Sequence, residues 1–243
     1  MTGQGHEVNR FSNADHQEIN KFDRLAQTWW NTEGEMRILH VINPLRTGFI
    51  FEHVDISRPK ILDVGCGGGI LAEALARSGA QVTAIDLSRP TLEAARRHAG
   101  AQGLAIDYRY ASAEQIAHEA AGSFDAVTCM EVLEHVPEPA NVIAACARTL
   151  KPGGRAFFST INRTPKAFLF AIVTGEYILG LLPRGTHSYQ KLIRPRELRQ
   201  WAQTSELEFA GVAGLGYNPV TKSFKMAPGK EDVNYMACFV RRG

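Results

Sequence analysis

The chain predicts an α/β domain built on a mostly parallel sheet with helices packed on both faces. Short apolar runs alternate with amphipathic stretches from residue 60 to residue 160, four glycines crowd the end of the first run, and an acid closes the second. Alternation of this kind is what strand–helix–strand units require, and their crossovers are right-handed.

Residues 1–18 read as a flexible leader without the apolar core of a signal peptide. Residues 19–59 form an N-terminal helical cap. Within it Ile19, Phe22, Leu25, Ala26 and Trp29 recur at helical spacing, and a second helix is expected to begin near Pro44, with the proline in its first turn. Residues 60–162 are the cofactor-binding core. Its first strand, 61–64, runs into Gly65, Gly67, Gly68 and Gly69, and a helix follows over 70–77. The second strand, 81–85, ends at Asp86, and Ser88 caps a helix running to about His98. Strands at 106–111 and 124–130 follow. A helix over 141–150 stops at the turn Lys151-Pro152-Gly153-Gly154, and a fifth strand covers 155–160. Residues 163–195 break the alternation as an apolar and basic helical insertion. Residues 196–243 add a closing helix, which starts near Pro195, and strands at 207–215 and 233–240, making a seven-stranded sheet.

The 243 residues suit one domain with additions, and a hydrophobic fraction of 44% supplies its core. A net charge of +2 with no long run of one sign gives no reason to expect a nucleic-acid partner. Cys66, Cys129, Cys146 and Cys238 are scattered, which suggests reduced thiols in a cytoplasmic protein rather than a zinc site or a disulfide framework.

The chemistry concentrates at two strand ends. A glycine loop between a buried strand and a helix brings backbone N–H groups close to a ligand, and Asp86, about twenty residues on, can hold a ribose diol. Nicotinamide and flavin enzymes share that pattern, but they want a small third residue where this chain has Ile70. Asp63, just before the loop, would repel a pyrophosphate and suits a ligand carrying an ammonium or sulfonium. After the fourth strand comes Met130-Glu131-Val132-Leu133-Glu134-His135. If Glu131 opens a helical turn, Glu134 and His135 share its face. Two roles then stand open: His135 as the general base that deprotonates a hydroxyl, or Glu131, Glu134 and His135 as ligands of a divalent cation such as Mg²⁺.

The string LDVGCGGG resembles the first motif of Rossmann-like class I S-adenosylmethionine-dependent methyltransferases. HQEINKFDRLAQTWW, INPLR, VTCMEVLEHVPEP, FFSTINR, GEYILGLLPRGTH, GYNPVTKSFK and VNYM extend the likeness over nearly the whole chain, to the ubiquinone-biosynthesis O-methyltransferases. The resemblance implies methylation of ring hydroxyls on polyprenylated phenol and quinol intermediates, at both O-methylation steps. It also implies that Arg46, Gly65, Asp86 and Met130 contact S-adenosylmethionine, with Asp63 and Gly67 beside them and residues 112–114 near the adenine. Other enzymes of the same pathway are its implied partners.

The insertion, AFLFAIVTGEYILGLL flanked by Arg163, Lys166, Arg184, Lys191, Arg194 and Arg196, suits peripheral contact with an anionic inner-membrane face through 163–196, or a buried helical pair over the sheet. His187 could reach the acceptor from its turn. A non-catalytic docking subunit would be expected to carry a degenerate glycine loop and no Asp86. This chain keeps both.

Overall fold

The computed structural model describes residues 11–167, 189–218, 220, 221 and 223–243. Along Lys60–Val64 (β1) the side chains alternate between two apolar surroundings: Leu62 and Val64 join one core cluster, Ile61 the other. A strand buried on both faces belongs in the middle of a sheet. β1 accordingly pairs in parallel with β2 (Gln81–Asp86) on one side and β4 (Phe124–Met130) on the other. β3 (Asp107–Tyr110) and β5 (Leu150–Ile161) continue the parallel part outward. Beyond β5 the sheet is antiparallel, through β8 (Asn234–Arg241), β6 (Leu207–Asn218) and β7 (Ser223–Pro228). The full order is β3-β2-β1-β4-β5-β8-β6-β7.

Helices cover both faces. One cluster gathers Ile116 of α5 (Ala113–Glu119), Ile143 of α6 (Pro139–Thr149) and Leu198 of α8 (Pro195–Thr204). The other gathers Ile50 of α2 (Arg37–His53), Leu75 of α3 (Ile70–Arg77) and Leu92 of α4 (Arg89–Ala101). Ser88 caps α4 as expected, its hydroxyl accepting from the Thr91 N–H at 3.2 Å. Ahead of the sheet stand α1 (His16–Leu25), capped by Asp15, and a 3₁₀ turn over Ala26–Thr28. A single turn, α7 (Pro165–Ala167), follows β5. Among the described residues no helix is long and apolar enough to cross a membrane.

Three expectations are corrected. The sheet has eight strands, not seven. The added one, Ser223–Pro228, pairs only with β6 and buries none of its residues fully, so it carries no apolar run to announce it. Pro44 lies inside α2, not in a first turn, because the helix already begins at Arg37. A proline there forgoes one backbone hydrogen bond. β5 begins at Leu150, so the Lys151–Gly154 segment falls within the strand. The central apolar part of the insertion, 168–188, and with it His187, lies outside the described residues.

Candidate active site

In this sheet the strand order reverses between β1 and β4, and ligands of open α/β sheets collect in the crevice at such a point, beyond the carboxyl ends of the strands. A cavity of about 860 Å³ opens there. Its wall brings together Arg46, Asp63, Gly65, Gly67, Asp86, Met130, Glu131 and His135 of the site residues expected from sequence, whereas Glu134 is not part of it and His187 lies outside the described residues.

The glycine loop is shaped by its backbone. Gly65, Gly67 and Gly69 have φ of 69°, 52° and 88°, a region that side-chain-bearing residues seldom enter. The Gly65 and Cys66 N–H groups both donate to the Ile85 carbonyl, at 2.9 and 3.0 Å, which ties the loop to the end of β2. A Cβ on Gly67 or Gly68 would run into the Trp29 ring, and the Trp30 indole N–H donates to the Gly68 carbonyl at 2.9 Å. The N-terminal cap therefore presses its two tryptophans directly onto the loop.

Two carboxyls flank these glycines. Asp86 accepts from the Gly67 N–H at 2.8 Å and from the Ser88 N–H at 2.7 Å, and burial raises its pKa. Asp63 is 2% exposed. Its Oδ1 accepts the Thr128 hydroxyl at 2.7 Å, whereas Oδ2 has no hydrogen-bond partner among the described residues. Burial, reinforced by the charge of Asp86, pushes the carboxyl up to about 7, against the opposing pull of Thr128 and Arg46. An orphaned oxygen on a buried acid is costly unless a cation arrives to meet it. This donor set fits a ligand with an ammonium group.

After β4 the chain does not enter a helical turn. Glu131 takes φ of 50°, its N–H still on the Ser159 carbonyl at 3.1 Å, and the 3₁₀ turn begins at Leu133. The kink sends the three candidate side chains to separate partners. Glu131 pairs with Arg46 and accepts the Ser159 hydroxyl at 2.7 Å. Glu134, 2% exposed, accepts the Thr160 hydroxyl at 3.0 Å. The His135 Nδ1 stands 3.1 Å from Glu18 Oε2, and its ring meets Phe22 edge-on at 5.2 Å. Among the described residues no group of three or more His, Cys, Asp and Glu side chains could hold a metal ion. As they stand, Glu131, Glu134 and His135 turn to separate partners and do not fit the divalent cation that their spacing suggested.

Sequence reading missed Glu18, Phe22, Trp29 and Thr128. All four fall within the strings HQEINKFDRLAQTWW and VTCMEVLEHVPEP, but only the fold brings them to the site. Asn13 is a further case, linking the leader to Glu114 at 2.9 Å. The four cysteines are free and buried.

A glycine loop on β1, an acid on β2 and a crevice against β4 make a ligand site of the open α/β kind, and a family model described as a methyltransferase domain matches residues 62–158. Magnesium protoporphyrin IX methyltransferase from Synechocystis, solved with S-adenosylhomocysteine, shares the fold with a TM-score of 0.66 at 18% identity, covering 93% of this chain and 97% of that one. This is the fold and site of an S-adenosylmethionine-dependent methyltransferase.

Two curated relatives narrow it. The ubiquinone biosynthesis O-methyltransferase of Pseudomonas aeruginosa is 56% identical over 225 residues, 93% of this chain and 97% of its own length. That of Stutzerimonas stutzeri is 54% identical over 230 residues, 95% and 99% of the two chains. The chain belongs to the ubiquinone biosynthesis O-methyltransferase family.

Proposed function

We propose that this enzyme methylates ring hydroxyls of polyprenylated phenol and quinol intermediates of ubiquinone biosynthesis, at both O-methylation steps. One observation carries the reading. A single cavity joins the glycine loop and Asp86 to His135 and to apolar walls from Phe22, Ile161 and Leu215, so a nucleoside-bearing donor and a greasy aromatic acceptor share one chamber.

In this reading Asp63 meets the donor's ammonium, Asp86 its ribose, Met130 its adenine and Arg46 its carboxylate. Arg46 now faces Glu131, so the donor carboxylate exchanges with or joins that pair. The donor supplies an electrophilic methyl group. A phenolic hydroxyl, with a pKa near ~10, is a poor nucleophile until deprotonated. His135 takes that proton as the oxygen attacks, and the walls hold the acceptor in line.

The acceptor's tail belongs in a bilayer, and contact through 163–196 would bring the enzyme from the cytoplasm to it. Of the flanking cations, Arg163 pairs with Glu197, Lys166 with Asp232, and Lys191 with Asp15 and Glu18. Attraction to anionic lipid then falls to the remaining cations, Arg194 and Arg196 among them, and to the apolar segment itself.

The test is transfer of labelled methyl from S-adenosylmethionine to a short-chain polyprenyl catechol, with and without chelator, beside His135→Ala. Turnover that survives chelation and is lost in the variant supports His135 as base. Turnover lost to chelation would return Glu131, Glu134 and His135 to a cation. No turnover while the donor still binds would overturn the acceptor assignment.

A further inference from the structure

We propose that His98, held by the buried carboxylate of Glu73, positions the donor loop through Trp30 and so sets how tightly the enzyme holds its methyl donor. The inference rests on the reading of the glycine loop as the donor's seat and needs no particular acceptor.

The starting observation is a buried charge just past the loop. α3 leaves the loop at Ile70 and packs Ile70, Leu71, Ala72 and Leu75 inward, yet it also buries Glu73, which is 1% exposed. A carboxylate in such a place is costly unless it is paired, and what it adds over an apolar side chain is direction. Glu73 Oε2 accepts from Arg77 at 3.0 Å along its own helix, and Oε1 lies 2.7 Å from His98 Nδ1 on α4. The imidazole held in this way lies flat on the Trp30 indole, the ring centroids 3.4 Å apart and the planes 6° from parallel. His40 of α2 meets the same indole edge-on at 5.5 Å. Trp30 is thereby fixed in one plane, and its N–H donates to the Gly68 carbonyl at 2.9 Å.

That bond matters for the peptide it holds. The peptide between Gly68 and Gly69 has no Cβ on either side, so it can turn over at little conformational cost. In a trans peptide the carbonyl and the N–H point opposite ways. With the Gly68 carbonyl turned out to Trp30, the Gly69 N–H turns in to the Cys66 carbonyl at 2.9 Å and closes the turn from Cys66 to Gly69. Within that turn the Gly67 N–H donates to Asp86 at 2.8 Å. Glu73 returns to the same place through its backbone N–H, which donates to the Gly69 carbonyl at 2.9 Å. The run of contacts from Glu73 through His98 and Trp30 therefore begins and ends at the loop. Trp29 lines the cavity, whereas Trp30, His98 and Glu73 do not. These three act on the donor through the loop, as positioning residues.

Two readouts test this on the full-length protein, with S-adenosylmethionine as the probe. Calorimetry should show Kd raised at least about tenfold in His98→Ala and in Trp30→Phe, the second keeping a ring against His98 while removing the N–H. Native-state hydrogen exchange on the donor-free protein should show the Gly69 amide exchanging at least about tenfold faster in both variants. The Leu75 amide, further along α3, should stay within about twofold. Should His98→Ala fail to fold, Trp30→Phe decides by the same two readouts. Donor affinity left unchanged by either folded variant overturns the proposal. Weaker binding with Gly69 and Leu75 accelerated alike, or with Gly69 exchange unchanged, places the loss in general loosening and overturns it too. A wild type that does not bind the donor overturns the reading of the loop and this proposal with it, whereas wild-type binding beside an unaffected variant overturns the proposal alone.

Discussion

Asp63→Asn should abolish a pH dependence of stability that the buried carboxyl imposes. Asparagine keeps the shape and can still accept the Thr128 hydroxyl, so the variant removes the ionisation and little else. Burial pushes Asp63 up to about 7, against about 4 for an exposed aspartate. The unfolded chain therefore releases this proton near pH 4, whereas the folded chain keeps it until about 7. Between those values the folded state binds more protons, so stability falls as pH rises and the contribution is gone above pH 7. Three units at about 1.4 kcal/mol each amount to roughly 4 kcal/mol, of which about 3 kcal/mol lies between pH 5 and 8. Urea denaturation of the donor-free protein reads this directly. With a slope of about 2–3 kcal/mol per molar, the wild-type midpoint should drop by roughly 1 M relative to Asp63→Asn across that interval. Adding S-adenosylmethionine should reverse the trend in the wild type alone, because its ammonium favours the ionised acid. A variant with the same pH slope as the wild type would refute the reasoning.

Arg46→Ala should weaken donor binding by about 10- to 100-fold in calorimetry, the scale of a lost charge-assisted hydrogen bond. Unchanged affinity would remove Arg46 from the donor site. Gly67→Ala places a Cβ against Trp29 at a φ of 52°, so it should lower the melting temperature by several degrees and blunt donor binding together. A variant as stable as the wild type would show that the Trp29 contact gives way easily. Deleting 168–188 should abolish co-sedimentation with anionic liposomes while donor affinity stays within about twofold, and intact co-sedimentation would sink the membrane reading.

What was legible in the sequence follows the period of its signals. β1, β2 and β4 are short, apolar on both faces and punctuated by glycine or acid, so their positions and the loop between β1 and α3 read directly from the chain. β7 was not legible, because Ser223–Pro228 is a partly exposed strand at the sheet edge with Lys225 in its middle and a proline at its end. Pro44 misled for a related reason. Local preference favours the first turn, yet α2 starts at Arg37 and packs Ile42, Phe49 and Ile50 inward, and tertiary burial outweighs one lost hydrogen bond.

The site divides along the same line. Asp63, Gly65, Gly67 and Asp86 sit within a few positions of a strand end, so spacing picked out residues that the fold places along the cavity wall. The chemistry after β4 could not be resolved that way, because it depends on one backbone angle. With Glu131 in a right-handed helical conformation the two acids and the imidazole would share a face. With φ at 50° they part, Glu131 toward Arg46 and His135 toward Glu18. Nothing in the local string prefers the left-handed value. It comes from the Ser159 carbonyl and hydroxyl, on the neighbouring strand, which hold the Glu131 backbone N–H and one of its side-chain oxygens. The partner of His135 lies on the first helix, before the sheet begins, where the tryptophans that follow α1 clamp the glycine loop and Asp23 accepts the Ser88 hydroxyl. The cap thus does two jobs with one packing arrangement: it closes the donor loop and delivers Glu18 to the imidazole. A substitution that loosens Trp29 should therefore weaken donor affinity, whereas Glu18→Gln, which leaves the loop clamped, should leave that affinity unchanged.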